Sequence, residues 1–314
     1  MRILLTGATS FTGMWFAEAL AQHGHTVVAA IRGEKSAYSG LRAERLGRVV
    51  ACCEPVWNMV FGSSRFLDAI ARAGRFDVFC HHAAAVAGYK SPAFDAVAAT
   101  ATNTRSAREV LKALRDAGCG RIVLTGSIFE EGEGAGSAPL RAFSSYGLSK
   151  SLTAMTFAFH AAQEGMALGK FVIPNPFGPY EEPRFTEYLV QNWRDGKMPC
   201  VGWPRYVRDN IHVSLLAAIY ARFAQTLPAT GFYRINPSGY IETQGAFASR
   251  FAREIGSRLM VETPLEFEGQ TTFPEPSVRV NTDVAVEIER DWNECAAWDG
   301  LADYYACRFE LRRR

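Results

Sequence analysis

The chain has 314 residues with a formal net charge of +2, 48% of them hydrophobic and 21% charged. That balance suits a folded chain long enough for one large domain or two unequal lobes. It argues against a dedicated nucleic-acid surface, the basic run Arg312–Arg314 being a solvated end. No apolar run approaches the ~20 residues that cross a bilayer, and the apolar part of the opening, Ile3 to Leu5, is too short for an export signal. The cysteines at 52, 53, 80, 119, 200, 295 and 307 are odd in number and show no C-x-x-C spacing. They predict reduced, mostly buried thiols in a cytoplasmic protein, and no metal site.

In chain order, Arg2–Leu5 reads as a buried parallel strand, followed by the turn Thr6-Gly7-Ala8-Thr9-Ser10-Phe11-Thr12-Gly13 and a helix closed by Gly24. Thr26–Ile31 is a second strand. Strand, glycine turn, helix and strand form a βαβ unit whose helix N-terminus seats a pyrophosphate. Gly7 permits the tight turn and Gly13 lets helix pack on strand, while Ser10 stands where a third glycine is expected. A plain turn is the alternative. At the end of the second strand an acid suits the ribose of NAD and an arginine the 2′-phosphate of NADP. Arg32 holds that position, with Lys35 beside it and Glu34 as competitor, which favours NADP(H) over NAD(H). A surface arginine ending a strand is the other reading.

A third strand is predicted at Arg48–Cys53, a helix at Ser64–Ala73 and a fourth strand at Phe76–Cys80, running into His81-His82-Ala83-Ala84. The adjacent histidines point to opposite faces with no third ligand nearby, so the small residues there read as room for a cofactor. One long helix is predicted from about Pro92 to Asp116, with Asn103 inside it, placed to hold backbone near a site. Arg121–Leu124 is a fifth strand leading to Thr125-Gly126-Ser127, and a serine past the end of a central parallel strand sits at the ligand crevice. In Tyr146-Gly147-Leu148-Ser149-Lys150 the tyrosine and lysine share a helix face, so the ammonium favours the phenolate and suits the tyrosine to proton transfer. A packed aromatic beside a solvated lysine is the bland alternative.

Taken together, these motifs resemble the extended short-chain dehydrogenase/reductase family, which holds nucleotide-sugar epimerases, dehydratases and ketoreductases. TGATSFTG resembles its TGxxGxxG, DVFCHHAA its DxVxHxAA, and Asn103 the asparagine of its next helix. TGS ending at Ser127 and YGLSK resemble its serine and YxxxK, PNPFGP at 174–179 its N-x-Y-G-P, and VRDNIHV at 207–213 its RDxIHV. The resemblance covers roughly residues 1–235. It implies a Rossmann-like doubly wound parallel sheet, residues 1–173 plus about 209–235, and a smaller discontinuous substrate lobe, about 174–208 and 236–314. It implies Ser127, Tyr146 and Lys150 as catalytic residues. A dinucleotide would lie on Gly7, Thr9, Ser10, Phe11, Thr12, Gly13, Arg32, His82, Ala83, Ala84, Asn103, Thr125, Tyr146, Lys150 and Pro174. Ser127, Asn175, Phe177 and Arg208 would contact a nucleotide-sugar substrate, Arg208 through its phosphates.

In the resembling 4,6-dehydratases a glutamate follows the catalytic hydroxyl residue by two places. Here Phe129 stands there, with Glu130 and Glu131 close by. Epimerases of the family retain NAD, whereas its reductases exchange NADPH, so Arg32 points first to a 4-keto-sugar reductase. A nucleotide-sugar epimerase comes next, then a 4,6-dehydratase, then a non-catalytic dinucleotide sensor. The helices near 92–116 and 146–164 carry apolar faces, the latter including Leu152, Met155, Thr156, Phe159 and Ala162. The resemblance implies that they form a four-helix bundle across a homodimer two-fold, the alternative being that they meet only the sheet. The terminal aromatics Trp292, Trp298, Tyr304 and Tyr305 read as core.

Overall fold

Short apolar runs separated by helix-length amphipathic segments can bury both faces of a parallel sheet, and the first half of the chain does so. The structure, a computed structural model, describes residues 1–313. It divides into two units: Met1–Glu133, Leu140–Ile173 and Ala217–Asn236 in the first, and Gly134–Pro139, Pro174–Leu216 and the chain from Pro237 onward in the second.

In the first unit the elements run β1 (Arg2–Thr6), α1 (Phe11–Gln22), β2 (Thr26–Ala30), α2 (Gly40–Cys52), β3 (Glu54–Val56), α3 (Ser64–Ala73), β4 (Val78–His81), α4 (Ala96–Asn103), α5 (Ala107–Asp116), β5 (Arg121–Ser127) and α6 (Ser145–Gln163). The strands Ala167–Ile173 and Phe232–Ile235 complete a seven-stranded sheet. Its order is β3, β2, β1, β4, β5, then Ala167–Ile173 and Phe232–Ile235, with every pair parallel. The chain winds outward from β1 to β3 and returns to β4, so a crevice opens beyond the carboxyl ends of β1 and β4, where such sheets bind ligands.

Two expectations are corrected. The run Arg48–Cys53 is not a strand but the end of α2; the strand follows at Glu54–Val56. The apolar residues had a helical period all along, with Leu46 and Val49 buried and Cys52 exposed. The long helix near 92–116 is two helices, because Ser106 takes a left-handed conformation (φ 47°). The carbonyl of Arg105 packs there on Gly62, whose ideal Cβ would stand 2.0 Å from it.

The second unit is built on a five-stranded mixed sheet. Val207–His212 pairs antiparallel with Tyr240–Thr243 and parallel with Val278–Val280 and Asn175–Phe177, while Ala135–Gly136 joins Val278–Val280. Asp209 is fully buried and accepts the backbone amides of Gly239 (2.8 Å) and Asn281 (3.0 Å). Burial pushes its carboxyl up to about 6, against the pull of those two bonds. Trp298 and Tyr305, on the helix Glu294–Phe309, join Phe177, Trp193, Phe247 and Phe251 in one apolar core. Of the terminal aromatics expected in the core, Trp298 and Tyr305 are buried in it and Tyr304 packs against it half-buried. Trp292 lies outside it, half-buried, and donates to Ser214 at 2.9 Å. The cysteines depart from expectation: only Cys80 and Cys119 are buried, and Cys52, Cys295 and Cys307 are exposed.

Candidate active site

The site starts at the glycine turn. Gly7 has φ +77°, and an added Cβ would stand 2.7 Å from the amide nitrogen of Ala83. At Gly13 a Cβ would lie 2.1 Å from the carbonyl oxygen of Gly7, so α1 packs on β1 only with glycine there. Ser10, in the place of the missing glycine, is the N-cap of α1. Its Oγ donates to the Gly7 carbonyl (2.9 Å) and accepts from the Gly13 amide (3.2 Å). It also lies 3.1 Å from His82 Nε2.

That last contact fixes the histidine tautomer. With its one proton given to Gly7, Ser10 can only accept from His82, so Nε2 carries the hydrogen. Nδ1 then accepts from the Thr125 hydroxyl at 3.0 Å, and Thr12 Oγ1 sits 3.0 Å from Nε2. The His82 ring thus ties the turn, α1 and β5 together. His81 lies against Phe157 and Phe61, and its Nδ1 is 2.9 Å from Thr6 Oγ1. Burial drives both imidazoles down to about 3, Lys150 adding to the effect, so both are neutral.

The residues present fit a dinucleotide. The first turn of α1 carries no acid, Thr9, Phe11 and Thr12 are buried around it, and Ala83 and Ala84 beside it offer nothing larger than a methyl. Arg32 is exposed just past β2. Its competitor Glu34 accepts from the side chain of Asn58 at 3.3 Å. Asn103, the last residue of α4, accepts the Ala85 amide (2.7 Å) and donates to Thr153 (3.3 Å), holding the segment after β4 to α6.

Ser127 is the last residue of β5, and α6 presses directly on the loop after it. The ideal Cβ of Gly147 would stand 2.2 Å from the Phe129 carbonyl, which is why glycine follows the tyrosine. Ser144 caps α6 by accepting the Gly147 amide at 3.0 Å. Tyr146 is half-buried among Tyr89, Phe94 and Phe129, at ring separations of 5.1, 6.2 and 6.3 Å. One turn on, Lys150 is buried and donates to the carbonyl of Thr125 at 2.6 Å. Burial holds its ammonium below the ordinary lysine range; Glu130 pulls it back up and Lys170 pushes it further down.

Glu130, noted in the sequence only as an acid near the site, and Glu133 and Lys170, not foreseen there, complete this end of the sheet. Glu130, fully buried, accepts the Ser127 amide at 2.7 Å and pairs with Lys170 at 2.5 Å. Glu133 also pairs with Lys170, at 2.7 Å. A lysine inside the apolar run ALGKFVI was the signal available for this cluster.

The other expected residues belong to the second unit. Pro174 is buried, and Asn175 lies opposite Asn210 in the sheet. Phe177 is 3% exposed, its ring packed on His212, Phe247 and Trp298. Arg208 lies over the Tyr206 ring at 4.2 Å and pairs with Glu275 at 3.1 Å.

A parallel sheet in this strand order, with a glycine turn after β1 and a serine, tyrosine and lysine around the end of β5, defines a short-chain dehydrogenase/reductase of the extended type. The profile of the NAD dependent epimerase/dehydratase family matches residues 3–235, and the chain belongs to that family. Comparison with curated protein sequences gives no match. Among solved structures, a UDP-glucuronic acid 4-epimerase from Bacillus cereus, with NAD, superposes with a TM-score of 0.77 at 16% identity, over 98% of this chain and 100% of that one. A UDP-glucose 4-epimerase from Thermus thermophilus, with NAD, gives 0.70 at 18%, over 97% and 99%. A dTDP-glucose 4,6-dehydratase from Streptomyces venezuelae, with NAD, gives 0.70 at 20%, over 97% of each.

The neutral histidines make the stability of the first unit sensitive to acid. Their folded pKa is depressed below the unfolded 6.5, so their contribution is present above that value and is lost as pH falls towards about 3. Each should add a slope of about 1.4 kcal/mol per pH unit in that window. Urea unfolding across the same range should show the steeper fall, and His82→Gln should remove one proton from the uptake. An unchanged slope in that variant would contradict the neutral assignment.

Proposed function

We propose that the protein is an epimerase of nucleotide-linked sugars that keeps NAD bound between turnovers. The observation that carries this is the placement of Ser127 at the end of β5, against the first turns of α6 that bear Tyr146 and Lys150. The family supports it, as do structural neighbours solved with NAD and nucleotide sugars. Bound NAD supplies hydride acceptance and return at the sugar carbon.

The chain's own residues handle the proton. Tyr146 takes it from the sugar hydroxyl and returns it, and the Lys150 ammonium favours the phenolate form. The Ser127 hydroxyl donates to the same sugar oxygen and holds it as charge develops. Asn175 and Arg208 bind the nucleotide sugar, Arg208 by exchanging Glu275 for a phosphate. Elimination is disfavoured, since Phe129 faces Tyr146 and the Glu130 carboxylate is engaged with Ser127 and Lys170. The NADPH-dependent 4-keto-sugar reductase expected from the sequence stands as the second reading, carried by Arg32, exposed where a 2′-phosphate would lie.

We further propose a homodimer. Val97 on α4 and Met155 and Phe159 on α6 are 75%, 68% and 60% exposed, a broad apolar face. Free thiols, three of them exposed, agree with a reducing compartment such as the cytoplasm, and no helix among the described residues is long and apolar enough to cross a membrane.

Tyr146→Phe should cut turnover of a UDP-sugar by at least about a hundredfold while leaving dinucleotide binding intact, and Arg208→Gln should raise KM far more than it lowers kcat. Full turnover in Tyr146→Phe would rule out its proton role. The dinucleotide freed by denaturing the purified protein should be NAD(H) in near-equimolar amount. Recovery of none, with oxidation of added NADPH by a 4-keto nucleotide sugar that Arg32→Ala abolishes, would establish the reductase instead. By light scattering the protein should be a dimer that Met155→Glu with Phe159→Glu converts to monomer; a monomeric wild type would refute the interface.

A further inference from the structure

Beneath the end of β5 lies a buried charge cluster that the proton-transfer scheme does not use. Glu130 and Glu133 are buried, as are Lys150 and Lys170. Arg234, half-exposed, reaches Glu133 at 3.6 Å, and Asn236 donates to it at 2.9 Å. Two buried carboxylates therefore match two buried ammoniums, with the outer cation in contact with water.

We propose that Glu130 is a positioning residue of the active site: one carboxylate oxygen clamps the backbone amide of Ser127, and its charge, shared with Lys170, is the buried counterion of the Lys150 ammonium. This rests on Ser127, Tyr146 and Lys150 being the proton-transfer group.

The geometry carries the argument. Glu130 Oε1 accepts the Ser127 amide at 2.7 Å and Oε2 meets Lys170 at 2.5 Å. The loop closes on the same serine, because the Glu130 amide donates to the Ser127 carbonyl at 3.0 Å and the Phe129 amide to its Oγ at 3.3 Å. Gly126 makes room for the pair. Its ideal Cβ would stand 2.8 Å from Lys170 Cε and 3.1 Å from Glu130 Oε1. Lys150 meets the neutral carbonyl of Thr125, and a buried ammonium with only dipoles around it loses its proton easily. Glu133 matters indirectly. By pairing with Lys170 at 2.7 Å it leaves part of the Glu130 charge for Lys150.

The groups facing Glu130 come from every neighbouring element: Lys170 from Ala167–Ile173, Lys150 from α6, and Ser127 from β5. From the end of β4 and the residue after it, His81 and His82 face Lys150 as neutral rings. Of these charges, Glu130 raises the Lys150 pKa and Lys170 lowers it, with burial the larger cause.

The test reads Lys150 directly. The lysines are Lys35, Lys90, Lys112, Lys150, Lys170 and Lys197, few enough for carbon-13 labelling at Cε, with the Lys150 signal assigned from Lys150→Arg. In the whole protein without substrate, Glu130→Gln should make Lys150 titrate at least about one pH unit lower, while Lys170→Gln should move it up. Glu131→Gln, an exposed acid one residue on, should leave it in place. Opposite movements are something a merely structural role does not produce. An unmoved Lys150 in Glu130→Gln, or the same direction in both variants, overturns the proposal. Should Glu130→Gln fail to fold, a Lys150 unchanged or lowered in Lys170→Gln overturns it alone. Sugar turnover plays no part in this readout. A protein that titrates as expected yet leaves nucleotide sugars untouched refutes the proposed function, not the counterion.

Discussion

Much of the first unit follows from one constraint, an ammonium buried at the end of the central strand. Lys150, on α6, is removed from water and donates to the carbonyl of Thr125 on β5. A charge in that position demands an organised surrounding. The glycines at 126 and 147 let Lys170, Glu130 and the loop after Ser127 come close enough to supply it. The same closeness brings Phe129 against Tyr146 and gives the phenol an aromatic wall. Charge burial and site geometry are thus one arrangement.

The glycine turn shows how a local departure is absorbed. Ser10 replaces the glycine that would let backbone meet phosphate, yet its hydroxyl caps α1 and engages His82. The histidine in turn ties Thr125 and Thr12, so the substitution is supported from β4 and β5. The bulk of the serine is turned into the helix cap, and the alanines after β4 keep the neighbouring space open.

The sheet was legible because its strands are short apolar runs set off by glycine turns, the shared helix of Tyr146 and Lys150 because four residues make one turn, and the place of Ser127 because it follows an apolar strand run. Arg48–Cys53 misled, since a short apolar run at the end of a helix lacks enough turns to declare its period. The break at Ser106 was hidden because the cause, Arg105 on Gly62, lies between residues far apart in sequence. Glu130 was legible as an acid near a site but not as a buried one. Only the lysine within ALGKFVI, a charge where a central strand should be apolar, announced a partner. The exposed cysteines show the limit of residue-type averages, for Cys52 sits on the open side of α2, where helix phase decides burial.

The proposed epimerase, in which Tyr146 moves only the hydroxyl proton, makes a demand on isotopes. The measurement is epimerisation of a UDP-sugar in deuterium oxide without added dinucleotide, followed by proton NMR of the inverted carbon. The account predicts an epimer mixture whose inverted carbon keeps its original hydrogen. Deuterium at that carbon, or no epimer from any UDP- or dTDP-hexose, would contradict it.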